Sequence, residues 1–255
     1  MIQVMKGSLF RAAALALFLC SGFGVWAERP KVALVLEGGS AWGLAHIGVI
    51  KVIEELGIPV DIVVGTSMGS IIGGMYAMGY SAADMAAIAG SADWMDLFME
   101  DGATGSDSFT GRADRAAYAA SIDFDRSGFR TSGGIISGRK IVRFMDTLAL
   151  GIPTPVDFDA LPRRFRAVAT DISTGERVVL SRGSIPDAMR ASMSIPGIFT
   201  PWYLDGRYLA DGFAVDNLPI SLAREMGADI VIAVDLFDAS GYDPDKQGLT
   251  PVAPL

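Results

Sequence analysis

Val60-Asp61-Ile62-Val63-Val64-Gly65-Thr66-Ser67-Met68-Gly69-Ser70-Ile71-Ile72-Gly73-Gly74 is the stretch that decides the fold. A β-branched run enters Gly-x-Ser-x-Gly and leaves as an apolar segment of helical character, so the order is strand, sharp turn, helix. That is the pattern of a nucleophile elbow with Ser67 at its tip. Gly65 and Gly69 suit it, because a side chain at either position would meet backbone once the turn is tight enough to push Ser67 outward. The plainer alternative is an ordinary strand-to-helix turn with Ser67 as the N-cap.

Working upstream, Lys31-Val32-Ala33-Leu34-Val35-Leu36 reads as a strand buried on both faces at the centre of a parallel sheet. The loop Glu37-Gly38-Gly39-Ser40-Ala41-Trp42-Gly43 follows, then a helix over 44–56 closed by Gly57 with Pro59 beyond. Strand, glycine loop, helix and elbow strand make a βαβ unit. A dinucleotide fingerprint is excluded: Ser40 stands where its middle glycine belongs, and the second strand ends in the elbow instead of an acidic residue. Two readings of the loop stay open. Its N–H groups form an oxyanion hole, or its glycines only permit close helix-sheet packing. Adjacent βα turns of one parallel sheet place this loop and Ser67 at the same carboxyl edge.

His46 is the single histidine of the chain. In a Ser-His-Asp hydrolase of this elbow type the histidine follows the nucleophile, and none does here. His46 therefore reads as a capped or core-edge residue, and a base for Ser67 has to be a carboxylate.

Downstream of the elbow, Ser81 opens a helix running to about Ala89. Trp94, Met95, Leu97, Phe98 and Met99 then crowd a polar stretch, either as packing under a surface excursion or as an apolar lid beside a lipid-accepting cleft. Residues 102–111 read as a loop. A helix is expected over 139–150, strands over 165–171 and 177–180 joined by a turn at Ser173-Thr174-Gly175-Glu176, and a helix over 185–191. Asp205-Gly206 lies between two short β runs and reads as a hairpin turn. Asp211-Gly212 follows the second run and precedes an irregular loop, so Asp211 is the candidate base. A helix over 218–226, a stop at Gly227 and a strand over 230–234 complete the sheet. The aspartates of the polar tail after Asp235 do not match a calcium loop.

The first 27 residues look like an export signal. Lys6 and Arg11 make a basic n-region, Ala12 to Phe23 is an apolar run short for a bilayer span, and Val25-Trp26-Ala27 offers a cleavage site. An uncleaved anchor is the alternative; a lipoprotein reading through Cys20 is disfavoured by Leu19. Removing 1–27 takes with it the only cysteine and moves the formal charge from −8 to −10. So acidic a chain excludes nucleic-acid binding and electrostatic docking on anionic lipid as first readings. Residues 28–255 suffice for one domain with a large core, whether free-standing or part of a longer protein. The expected location is the periplasm, the outer membrane or the medium.

Four blocks, in order, resemble the bacterial branch of the patatin-like phospholipase family: residues 38–48, Gly65-Thr66-Ser67-Met68-Gly69, Ala191-Ser192-Met193-Ser194-Ile195-Pro196, and Asp211-Gly212-Phe213 with Asn217-Leu218-Pro219. The resemblance covers about residues 31–237. It implies an α/β fold of three layers, with a mostly parallel central sheet and helices on both faces. It further implies a Ser67-Asp211 dyad, oxyanion donors at Gly38, Gly39 and Ser40, acyl-lipid substrates met at a membrane surface, and no metal or other cofactor. The sequence departs from the family pattern at Ser40, where the third loop glycine is usual, at Trp42, usually basic, and at Phe213, usually glycine. The leading expectation is an exported serine acyl hydrolase. Its rival is a catalytically impaired domain of the same fold that binds lipid or a partner.

Overall fold

The structure, a computed structural model, describes residues 29–98, 122–125, 128–131 and 136–237. Residues 1–27, expected to be an export signal, Met99, residues 102–111, expected to be a loop, and most of the tail after Asp235 lie outside the described residues. In chain order the elements begin with β1 (Val32–Leu36), a 3-10 turn (Ser40–Leu44), α1 (Ala45–Glu55), β2 (Ile62–Thr66), α2 (Met68–Met78), α3 (Ala82–Ser91) and α4 (Trp94–Phe98). The hairpin β3 (Ile122–Asp125) and β4 (Gly128–Thr131), then α5 (Arg139–Leu148), β5 (Val156–Asp157), β6 (Arg164–Asp171), β7 (Arg177–Leu180) and β8 (Arg182–Gly183) follow. The chain goes on through α6 (Ile185–Ser192), β9 (Trp202–Leu204), β10 (Arg207–Asp211), α7 (Ile220–Glu225) and β11 (Ile230–Val234).

The main sheet runs β11-β1-β2-β6-β10-β9, with β7 added to β6. Strands β11, β1, β2 and β6 are parallel, whereas β10, β9 and β7 run antiparallel to their neighbours. The pleat divides the core in two. Leu34, Leu36, Val63 and Phe165 face the larger cluster, under α1, α2, α3, α5 and α6. Ala33, Val35, Ile62 and Val64 face the other way and are covered by Leu222 and Ala223 of α7. Alternate side chains of one buried run thus feed two helical layers, giving the expected three-layer sandwich.

One feature of the register brings distant residues together. Val168 pairs with Thr66 of β2, and Ala169 pairs with Asp211 of β10, while β7 pairs with both from the other side. β2 and β10 therefore share one edge of β6 and run head to head, and their C-terminal ends meet at Val168 and Ala169. Ser67 is the next residue after β2, and Asp211 is the last of β10.

Local chemistry explains most of the element boundaries. Ser81 caps α3 reciprocally with Asp84, its hydroxyl accepting from the Asp84 N–H at 3.1 Å while the Asp84 carboxylate accepts from the Ser81 N–H at 3.0 Å. Asp205 and Gly206 have φ of 49° and 80°, as a two-residue hairpin turn between β9 and β10 requires. The segment expected as a helix from residue 44 begins as the 3-10 turn, and the one expected from 218 starts only after Pro219. The β3–β4 hairpin, whose Ile122-Asp123-Phe124-Asp125 alternates over only four residues, and the two-residue β5–β8 pair are not among the expected elements.

Candidate functional site

Ser67 adopts φ 53° and ψ −123°, a backbone region costly for any residue with a side chain. Several contacts hold it there. Its N–H donates to Ser192 Oγ at 2.9 Å, and that hydroxyl donates to the Val168 carbonyl at 2.6 Å. Its carbonyl accepts from the N–H groups of Ser70 and Ile71 at 2.9 and 3.2 Å and from Ser70 Oγ at 2.7 Å. A Cβ on Gly65 would fall on the carbonyl of Gly69, and one on Gly69 on the carbonyl of Leu36. The first turn of α2 sits so close to the tips of β1 and β2 that neither glycine can carry a side chain.

Asp211 is buried and fixed at every backbone group. Its N–H donates to the Ser194 carbonyl at 2.9 Å, its carbonyl accepts from Thr170 Oγ1 at 2.7 Å, and Oδ1 accepts from the Phe213 N–H at 2.9 Å. Oδ2 is buried with no geometrically formed hydrogen bond. Burial pushes the carboxyl up to about 6, against the pull of the Ser67 hydroxyl and the Phe213 N–H. Asp205, by contrast, forms the hairpin turn. The Phe213 side chain is 51% exposed, so its bulk lies largely in solvent.

The glycine loop packs directly against the elbow, since a Cβ on Gly38 would lie 3.1 Å from Ser67 Cβ. The three expected N–H donors differ in what they already bond. Gly38 N–H donates to the Asn217 carbonyl at 3.2 Å and is thereby engaged. The N–H groups of Gly39 and Ser40 have no hydrogen-bond partner among the described residues. Ser40 has φ 47°, the left-handed conformation that glycine adopts without penalty. Trp42 donates its N–H to the Gly39 carbonyl at 3.0 Å, and its side chain is 74% exposed.

Three residues that the sequence reading did not place in the site support this loop. Asn217 Nδ2 donates to Glu37 Oε1 at 2.8 Å and to the Gly38 carbonyl at 3.1 Å. Glu37 Oε2 accepts from the Leu236 N–H at 2.6 Å; burial raises its pKa, the Leu236 N–H draws it back, and Asp235 adds a further upward push. His46 is fully buried and donates Nε2–H to the Glu37 carbonyl at 2.8 Å, while Nδ1 has no partner, so the ring is the neutral Nε2–H tautomer. Burial lowers its pKa, partly offset by that bond. Ser192, likewise not placed in the site by the sequence reading, supports the elbow instead. Asn217 and Ser192 lie in blocks that carried the family resemblance, and this was the one signal pointing to them.

On the helical side of Ser67 lies an apolar pocket between α2, α3, α4 and α5. Leu44, Met68 and Met193 form its end nearest the elbow, and Trp94 and Leu97 of α4 line it as well. No group of three His, Cys, Asp or Glu side chains suited to a metal ion occurs among the described residues. No helix among them is long and apolar enough to cross a membrane.

Comparison with known proteins matches residues 34–224 to the family model described as patatin-like phospholipase. An uncharacterised NTE family protein of Mycobacterium tuberculosis is 35% identical over 211 residues, which are 82% of this chain and 50% of that one. Lysophospholipase nte1 of Emericella nidulans is 34% identical over 217 residues, 85% of this chain and 12% of that protein. The chain thus spans at most half the length of these curated relatives. Among solved structures, VipD from Legionella pneumophila aligns with TM-score 0.48 at 18% identity, over 75% of this chain and 47% of that one. ExoU of Pseudomonas aeruginosa, in complex with SpcU, aligns with TM-score 0.40 at 17% identity, over 66% and 39%.

Proposed function

Because the chain belongs to the patatin-like phospholipase family, we propose that it is a serine acyl hydrolase that cleaves ester bonds of phospholipids or related lipids with Ser67 as nucleophile and Asp211 as base. The observation that carries the reading is the head-to-head meeting of β2 and β10, which sets a strained Ser67 beside a buried carboxyl with one free oxygen. In this mechanism Ser67 Oγ attacks the ester carbonyl carbon while its proton passes to Asp211. The N–H groups of Gly39 and Ser40 receive the oxyanion. As the C–O bond breaks, Asp211 returns the proton to the departing alcohol and an acyl-Ser67 remains. Water then attacks that ester, gives its proton to Asp211, and the acid leaves as Ser67 recovers a hydrogen.

The acyl-lipid substrate and its encounter at a membrane surface belong to the same proposal, supported by the family. Export is a separate proposal resting on residues 1–27. A mature N-terminus at Glu28 in the exported fraction is its expected outcome, and an intact leader on the whole population would overturn it.

The test is labelling of the purified chain with a fluorophosphonate, followed by mass mapping, with Ser67→Ala and Asp211→Asn alongside. The expected adduct sits on Ser67 and vanishes in Ser67→Ala, and both variants lose at least about a thousandfold in turnover while staying folded. Wild-type rates in either variant would overturn the assignment. Saturable lipid binding without adduct or product would point instead to the impaired binding domain.

A further inference from the structure

The peptide that carries the Gly39 N–H joins two glycines, Gly38 and Gly39. With no Cβ on either side, it can turn over by opposed rotations of its two flanking bonds against little steric resistance. In a planar trans peptide the C=O and the N–H point in opposite directions, so whatever holds the Gly38 carbonyl also fixes the heading of the Gly39 N–H. Asn217 holds it, with Nδ2 donating to the Gly38 carbonyl at 3.1 Å.

The amide that does this is itself oriented. Nδ2 also donates to Glu37 Oε1 at 2.8 Å, and Glu37 Oε2 is held in turn by the Leu236 N–H at 2.6 Å. Both partners of Nδ2 are acceptor oxygens, so the amide cannot be turned end for end. Its other end carries a cost. Oδ1 is buried without a hydrogen-bond partner, and a Cβ on Gly38 would fall 2.5 Å from it. An orphaned buried acceptor weakens a fold, so stability is poorly served here, whereas the aim of the Gly39 N–H is served directly. The backbone carbonyl of Asn217 separately accepts from the Gly38 N–H at 3.2 Å, a bond that needs no side chain. Removing the side chain therefore frees the Gly38–Gly39 peptide while the preceding one stays tied.

We propose that Asn217 is a positioning residue of the reaction, whose side chain locks the Gly38–Gly39 peptide so that the Gly39 N–H is presented to the oxyanion. The proposal rests on the Ser67 reading and adds a residue that acts through a donor, not on the substrate. Formation and breakdown of acyl-Ser67 both pass through an oxyanion, so a misaimed donor slows the two steps together. KM, which depends on the ratio of those steps and on substrate binding, then stays nearly constant.

The test uses Asn217→Ala and Asn217→Leu, the second keeping about the volume of asparagine without its donors. Both are expected to lower kcat for p-nitrophenyl butyrate about ten- to a hundredfold, with KM within about threefold of wild type. The acid limb of the pH profile should stay in place, because Asp211 is untouched. Fluorophosphonate labelling should still reach one adduct per chain, at a rate lowered by about the same factor as kcat. Wild-type kcat in folded Asn217→Leu would reduce Asn217 to a packing role and overturn the proposal. A rise in KM alone, or incomplete labelling at the wild-type rate, would overturn it too.

Failure of the Ser67 reading is distinguishable from failure of the clamp. If the wild-type chain neither turns over ester nor labels at Ser67, the hydrolase reading falls, and the clamp is judged by the residual dipolar coupling of the Gly39 N–H in the aligned, isotope-labelled chain. A wild-type coupling that fits the structure and changes in Asn217→Ala sustains it. The same coupling in both chains overturns it.

Discussion

At the scale of single residues, Asp211 carries two predictions that pull in opposite directions. As a base it works only as the carboxylate, and burial holds its pKa near 6. Turnover should therefore fall on the acid side with an apparent pKa of about 6 in kcat/KM. The limb should remain when His46 is replaced by Gln, because that ring is buried, neutral and committed to the Glu37 carbonyl. Disappearance of the limb in the His46 variant would show that the chain's only histidine, and not a carboxyl, is responsible. Stability behaves differently. Between the ordinary aspartate value and about 6 the folded chain retains a proton that the unfolded chain has released, so stability is present below that window and is lost as pH rises through it. An ionised Asp211 at pH 8 is thus a cost, of about 3 kcal/mol for a shift of this size. Asp211→Asn is expected to raise the urea midpoint at pH 8 but not at pH 4, while it abolishes turnover. Equal stability changes at both pH values would remove the buried-carboxylate account.

Elements, next, decide how precisely the donors are aimed. The glycine loop is braced on three sides, by Asn217 before α7, by Leu236 after β11 and by His46 on α1. Within it, Ser40 takes a left-handed backbone, φ 47°, at a cost of about 1 kcal/mol that glycine would not bear. Ser40→Gly should stabilise the chain by about 1 kcal/mol or somewhat less, since glycine also gains freedom in the unfolded state. It should leave turnover within a few-fold of wild type. A gain of a hundredfold or more would mean that serine had been misdirecting the donors, which is the route to an impaired domain.

These supports also mark where sequence reasoning ended. The strand-turn-helix at Ser67, the βαβ unit and the Asp205-Gly206 hairpin turn depend on a few neighbouring residues, and local turn chemistry makes such features readable. Ser192 reaches Ser67 across 125 positions, and Asn217 reaches Glu37 across 180. No local pattern encodes contacts of that span, and Ser and Asn are common in loops for unrelated reasons. Gly38 shows the same limit. The glycine was recognised as part of the loop, but its N–H proved committed to Asn217, a partner fixed only when α7 docks on the sheet.

Across the whole molecule, the proposed encounter with a lipid surface makes charge the quantity to test. The chain carries a formal charge of −8, or −10 once residues 1–27 are removed. An anionic bilayer has a surface potential of about −30 mV, so each protein charge brought to it costs about 0.7 kcal/mol. Two such charges near the surface would reduce binding about tenfold. Hydrolysis of phosphatidylcholine in vesicles should accordingly fall several-fold when phosphatidylserine replaces a third of the lipid. Raising the salt to about 0.5 M shortens the screening length to roughly half its physiological value and should recover most of the loss. Monomeric short-chain esters, which present no charged surface, should show neither effect. Faster turnover on the anionic vesicles would place a basic docking face on the molecule outweighing its net charge, and the approach to lipid would then be electrostatic after all.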